Sequence, residues 1–162
     1  MSVRSGIGYD SHRFEEGRRL VLGGVEVPSQ RGLAGHSDAD VLAHAITDAL
    51  LGAAGLDDIG AHFPDTDARW RDADSIELLG RVRALLAEQG LAPVNVDAVV
   101  LCEEPTLGPF RAAMRERLAA AIGLSPSHVS VKFTTGEGMG FVGRGEGIAA
   151  LATAAVAEAS SP

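Results

Sequence analysis

The chain has 162 residues, 46% apolar and 22% charged, which suits one globular domain with its own core and excludes a disordered or fibrous chain. A net charge of −8 and an aromatic content of 4% exclude broad nucleic-acid binding, which draws on Lys and Arg at phosphates and on aromatic platforms for bases. The one cysteine, Cys102, excludes an internal disulfide framework and a Cys-rich zinc site. With no N-terminal signal pattern and no apolar run near the roughly 20 residues of a membrane span, a cytoplasmic protein with no membrane partner is expected.

Residues 3–13 read as a strand, and Leu20 to Val27 as a hairpin turning at Gly23-Gly24. Arg31 to Gly35 reads as a loop. Ser37 precedes Asp40 by three residues, a capping-box spacing, and opens a helix with Val41, Leu42, Ala45, Ile46 and Ala49 on one face. The helical turn places His44 on the opposite side, flanked by Asp40 and Asp48. Gly55 to Arg71 is loop-like. A second helix begins at Asp74 or Ser75 and runs to about Gln89, where Gly90 stops it. Val94 to Glu103 reads as a strand, Pro109 to Ile122 as a helix closed by Gly123, and Val129 to Thr135 as another strand. Six glycines occupy residues 136–147. The Ala-rich stretch from Ile148 to Ala159 has helical propensity, while the shortage of strands argues for a strand. No repeat or linker divides residues 1–162, which read as one domain of mixed helix and sheet.

Four residues with ligand chemistry fall early in the chain: Asp10, His12, His36 and His44. Asp10 and His12 stand two apart in a strand and so share a face. His36 and His44 bracket the start of the first helix. One carboxylate and two imidazoles make a three-ligand set for zinc, with a fourth position open as in catalytic sites. Each pair also has an ordinary reading, as a strand-end turn and as a solvated helix face. A helix carboxylate beside His44 is placed to orient its second ring nitrogen.

Gly138-Met-Gly-Phe-Val-Gly143 matches G-x-G-x-x-G, but too few residues follow for the unit that a dinucleotide site requires. The glycine loop, carrying Arg144 and Glu146, reads as a flexible hairpin or a phosphate-facing loop. Thr134, Thr135 and Glu137 offer hydroxyls for phosphate oxygens and a carboxylate for Mg²⁺. Asp65-Thr66-Asp67 has ordinary turn composition, and Cys102 lies in no nucleophile motif.

Five motifs occur in order: Gly-x-Gly-x-Asp-x-His-x-Phe (6–14), His-Ser-Asp-x-Asp-Val (36–41), Asp-Ile-Gly-x-x-Phe-Pro-Asp-Thr-Asp (58–67), Thr-Thr-x-Glu (134–137) and Gly-Phe-x-Gly-Arg-Gly-Glu-Gly (140–147). Together they resemble the 2-C-methyl-D-erythritol 2,4-cyclodiphosphate synthase family of the non-mevalonate isoprenoid pathway, over about residues 3–158 and at the length of the stand-alone enzyme. The resemblance implies cyclisation of 4-diphosphocytidyl-2-C-methyl-D-erythritol 2-phosphate with release of CMP. It assigns zinc to Asp10, His12 and His44, and a second cation, Mg²⁺ or Mn²⁺, to Glu137. His36 and Thr135 match positions that stabilise the transition state, and Ser37 lies beside phosphate. Asp58, Gly60, Phe63, Asp65 and Asp67 match contacts to the erythritol unit. The Cys102–Gly108 segment, including Pro105, matches the cytidine pocket together with Thr134.

The resemblance further implies an α+β domain, a mixed sheet with helices on one face in a ferredoxin-like arrangement, and a strand over residues 148–158. It implies a homotrimer with active sites between subunits, and an axial cavity at Phe141 and Arg144 that admits isoprenoid diphosphates. Two positions depart from the family pattern: Thr106 where Lys is common, and Gly136, which is expected to loosen its loop. A zinc-dependent diphosphate hydrolase and a non-enzymatic isoprenoid-diphosphate binding trimer stand as alternatives.

Overall fold

The structure is a computed structural model that describes residues 2–159, so the outermost ends of the expected 1–162 domain lie outside the described residues. Strand β1 (Val3–Glu16) presents alternate residues to its two faces. Gly6, Gly8, Asp10 and His12 share the face that meets the helices, and Ile7 and Tyr9 stand exposed on the other. A short hairpin follows, β2 (Leu20–Leu22) and β3 (Val25–Val27), turning at Gly23 and Gly24, both at positive φ. The segment read as a loop instead contains β4 (Arg31–Leu33), which pairs with the far end of β1. Three residues are too few to show an alternating pattern; the overhang of β1 makes them a strand.

Helix α1 (Val41–Ala54) is capped by Asp40 rather than by Ser37. The Asp40 carboxylate accepts the Ala43 amide at 3.0 Å and also the Gly23 and Gly24 amides at 2.9 and 2.7 Å. It is therefore buried, and ties the hairpin to the helix start; the expected solvated flank of His44 is half core. Ser37 instead accepts the Ala39 amide, in a local turn.

The stretch read as wholly loop-like holds a one-turn helix, α2 (Ile59–His62), and a 3₁₀ turn at Ala68–Trp70. Then come α3 (Ser75–Glu88), β5 (Leu91–Leu101), α4 (Arg111–Ile122), β6 (Val129–Thr134), the one-turn α5 (Gly140–Gly143) and β7 (Gly147–Glu158). The last is a strand despite its alanines. It inserts between β1 and β5 and pairs along both, with Ala152 opposite Gly8 on one side and Ala98 on the other. Two ladders of backbone hydrogen bonds override a propensity of tenths of a kcal/mol per residue.

The main sheet runs β4-β1-β7-β5-β6, antiparallel except for the β5–β6 pair. Three long helices cover one face, and the core lies between, with Leu42, Ile46, Leu50, Leu79, Leu118, Val100 and Val156 fully buried. The ferredoxin-like expectation needs correction. A ferredoxin-like unit reads β-α-β-β-α-β. Here both helical crossovers come before the terminal β6–β7 pair, and the second sets β6 parallel and adjacent to β5.

The approach of α1 to the sheet fixes everything beyond it. A Cβ on Gly8 would overlap the Ala45 carbonyl oxygen, and one on Gly6 the Ala49 carbonyl oxygen. The helix backbone thus rests directly on strand backbone, bringing His44 over Asp10. Gly8→Ala should cost about 3 kcal/mol of stability, because overlap with backbone cannot be relieved by a rotamer change. Urea unfolding checks this; a loss below about 1 kcal/mol would show that α1 can lift without penalty.

Candidate active site

Period-two geometry on β1 and the close seat of α1 bring three donors together: Asp10, His12 and His44, with ligand atoms all within 4.8 Å of one another. Asp10 Oδ2 stands 2.9 Å from His12 Nε2 and 3.0 Å from His44 Nδ1. The opposite ring nitrogens face fixed partners. His12 Nδ1 lies 2.7 Å from the Ala34 carbonyl oxygen, which can only accept, so Nδ1 carries the proton and Nε2 is free to ligate. His44 Nε2 lies 2.8 Å from Ser75 Oγ and 3.2 Å from Ser37 Oγ. The expected helix carboxylate is not its partner: Asp40 is turned into the hairpin, and Asp48 accepts the Ile59 amide at 2.8 Å.

Burial raises the Asp10 carboxyl, but the two imidazoles outweigh it and hold the group at about 2. Burial lowers His12; the Asp10 hydrogen bond and charge, with the Ala34 carbonyl, reverse this and leave it raised. A carboxylate and two imidazoles, partly buried and facing one point, fit zinc in number, type and spacing. His36 is the fourth early candidate and stands outside this set, its Nε2 3.3 Å from the Asp67 carbonyl oxygen.

The metal set opens into a cleft of about 440 Å³ lined by His36, Ser37, Gly60, Phe63 and Asp65 among others. Ile59, Trp70 and Leu78 supply its apolar wall, with Phe63 edge-on to Trp70 at 5.1 Å. Ile59 stands inside the 58–67 motif, whereas Trp70 and Leu78 look like ordinary apolar residues and were not legible beforehand. Arg18 also went unread: it donates to the Gly35 and Ser37 carbonyls at 3.0 and 2.9 Å and holds the His36 loop from behind. Asp58 and Asp67 stand beside this cleft and not in its lining. The Asp67 carboxylate is gripped by Arg69 at 2.9 and 2.6 Å, and Asp58 caps α2.

Cys102, Pro105, Gly108, Thr134 and Thr135 gather around a second cleft of about 240 Å³, at the ends of β5 and β6. Asp10 lies opposite Ala150, Ala150 opposite Val100, and Val100 opposite Phe133. The two clefts therefore sit at one level of the sheet, three strand spacings apart or about 14 Å. Burial and the nearby Glu103 push the Cys102 thiol up to about 12, so it is no nucleophile. Glu103 accepts the Gly136 and Gly138 amides at 2.8 and 3.3 Å, shaping the loop that carries Thr135 and Glu137.

That loop is tight rather than flexible. A Cβ on Gly136 would stand 2.6 Å from the Gly143 amide nitrogen, so glycine here permits close packing and does not loosen the backbone. Phe141 lines a third cleft with Ser11, Arg13 and Glu146, and the exposed Arg144 pairs with Glu146 at 2.9 Å.

The YgbB family model matches residues 3–157. A curated relative from Symbiobacterium thermophilum, 2-C-methyl-D-erythritol 2,4-cyclodiphosphate synthase, is 62% identical across 94% of this chain and 97% of its own. Among solved structures, the bifunctional IspDF from Campylobacter jejuni superposes at a TM-score of 0.92 with 43% identity, covering 96% of this chain and 42% of that one. The CDP complex of IspF from Plasmodium falciparum superposes at 0.85 with 30% identity, covering 98% of each chain.

The cluster's charge pairing predicts a pH window for the metal-free chain. Asp10 is depressed from 3.8 to about 2, so its contribution is present above 3.8 and is lost as pH falls toward 2. His12 is raised from 6.5, so its contribution is present below 6.5 and is lost as pH climbs through the raised value. Comparing urea unfolding at about pH 5 and about pH 8, wild type should gain more at the lower pH than His12→Ala does. Equal differences would mean that His12 and Asp10 do not pair.

Proposed function

The chain belongs to the YgbB family and is a lyase of the cyclodiphosphate synthase kind, and on that premise we propose that it converts 4-diphosphocytidyl-2-C-methyl-D-erythritol 2-phosphate to 2-C-methyl-D-erythritol 2,4-cyclodiphosphate and CMP. The observation that carries this reading is the Asp10–His12–His44 set opening into the cleft of His36 and Ser37. In the reaction, an oxygen of the substrate's 2-phosphate forms a bond to the β-phosphorus as the bond from that phosphorus to the bridging oxygen breaks. The electron pair leaves with CMP. No protein nucleophile is required, in keeping with the buried, high-pKa Cys102.

Catalysis is then positioning and charge neutralisation. Asp10 Oδ2, His12 Nε2 and His44 Nδ1 would hold zinc, and Glu137 Mg²⁺ or Mn²⁺; these ions supply Lewis-acid charge at the phosphate oxygens. Ser37, which lines the cleft, would donate its hydroxyl to a phosphate oxygen. His36 is steadied by the Asp67 carbonyl beside the same point. The wall of Ile59, Phe63 and Trp70 receives the apolar edge of the methylerythritol, and Gly60 leaves room for it. Thr134, Thr135 and the Cys102–Gly108 loop receive the cytidine diphosphate end.

The two clefts share no lining residue, which supports a homotrimer in which one subunit's metal side would face a neighbour's cytidine side to complete each site. The free face of the sheet supports such an assembly, with Val3, Ile7 and Tyr9 60%, 69% and 52% exposed. An isoprenoid diphosphate bound on the trimer axis beside Phe141 and Arg144 belongs to the same proposal.

Purified protein with zinc, Mg²⁺ and the diphosphocytidyl substrate should yield CMP and cyclodiphosphate in equal amounts. Open-chain monophosphates would instead favour a diphosphate hydrolase. His44→Ala and Thr135→Ala should each abolish most turnover, whereas co-expressed mixtures should regain part of it through mixed trimers. Failure of the mixtures to recover would place both halves of a working site on one subunit.

A further inference from the structure

His44 is held from behind as well as from the front. Ser75, the first residue of α3, is 1% exposed and 31 residues away in sequence, yet its Oγ lies 2.8 Å from His44 Nε2. The helix does not need this hydroxyl, because Asp74 supplies the cap by accepting the Ile76 amide at 2.8 Å. On its far side Ser75 Oγ meets Asp38 Oδ1 in a short hydrogen bond, and the Ser75 amide meets Asp38 Oδ2 at 3.0 Å. Asp38 is fixed in turn by the Asp40 amide at 3.1 Å.

The donor inventory settles the direction of this chain. A carboxylate only accepts, so the one Ser75 proton goes to Asp38. The serine lone pairs then face His44 and accept from Nε2–H, so Nδ1, on the Asp10 side, is the nitrogen offered to an ion. Ser37 Oγ, at 3.2 Å from the same nitrogen, already accepts the Ala39 amide and adds only a second, longer contact.

We propose that Asp38 and Ser75 are positioning residues of the metal centre, which lock His44 in the tautomer and ring orientation that present Nδ1 to the ion. The inference rests on the metal reading of Asp10, His12 and His44. Asp38 acts only through Ser75, with its charge passed along two hydrogen bonds to strengthen His44 as a ligand. The same carboxylate anchors the start of α3, so the helix and the ligand are set by one group.

Two measurements test this. Zinc affinity is read by competition with a chromophoric chelator on the apo-protein, and the ligating nitrogen of His44 by long-range ¹⁵N–¹H spectra of the zinc-loaded chain. Ser75→Ala should weaken zinc by about 10- to 100-fold, and Asp38→Asn by less. The double variant should bind zinc no more weakly than Ser75→Ala alone, because the route through Ser75 is already cut. The spectra should show Nδ1 on zinc and Nε2–H in the wild type, and a mixture of Nδ1- and Nε2-ligated rings in Ser75→Ala, a change that mere loosening of α3 would not single out. Asp38→Asn, which keeps the hydroxyl, carries the test if Ser75→Ala does not fold. Affinities within about twofold of wild type, additive losses in the double variant, or ligation through Nε2 in the wild type would each overturn the proposal. A wild type that binds no zinc would overturn the metal reading itself, and this inference with it.

Discussion

Direct contact between the backbone of α1 and the glycine face of β1 is the constraint on which the site depends. Gly6 and Gly8 remove the side chains that would hold a helix off a strand, and the helix settles against bare peptide. Further along the same face, Asp10 and His12 replace glycine just where α1 begins. The helix's first turn then stands over them, and His44 completes a cluster whose members come from two different elements. The buried Asp40 carboxylate reinforces this placement by joining the hairpin to the start of α1. Packing and chemistry are thus one arrangement: the residues that let the helix approach and those that use the approach alternate along a single strand.

Much of this was legible in the sequence, for definite reasons. The i, i+2 spacing of Asp10 and His12 follows from the strand period, and the phase of α1 turns His44 off its main apolar stripe. The motifs then named the metal set that spacing alone left open among four residues. What stayed hidden depends on distant parts of the chain. Ser75 lies in a different helix from His44, and no local pattern links them. The pairing of the Asp67 carboxylate with Arg69 is likewise marked by no motif. In β7, alanine propensity pointed to a helix, while two neighbouring strands with free edges decided otherwise. Gly136 read as a weakness because sequence shows missing atoms and not the Gly143 backbone that fills their place.

The cleft of the metal set and the cleft at Cys102 and Thr134 stand at one level of the sheet but do not merge within a single chain. Each cleft is shaped by its own loops, one steadied by Arg18 and Asp67, the other by Glu103. A substrate with a phosphorylated sugar at one end and a nucleotide at the other suits two such half-sites. The proposed trimer explains both this division and the exposed apolar face of the sheet. In this account, assembly completes the site without reshaping either half, since each is already braced by hydrogen bonds inside its own chain.

Anomalous diffraction at the zinc edge, on crystals of the zinc-loaded protein, tests the central claim most directly. The account predicts one peak per chain, about 2 Å from Asp10 Oδ2, His12 Nε2 and His44 Nδ1, with Ser75 still against His44 Nε2. A peak ligated by His36, or by Nε2 of His44, would contradict it.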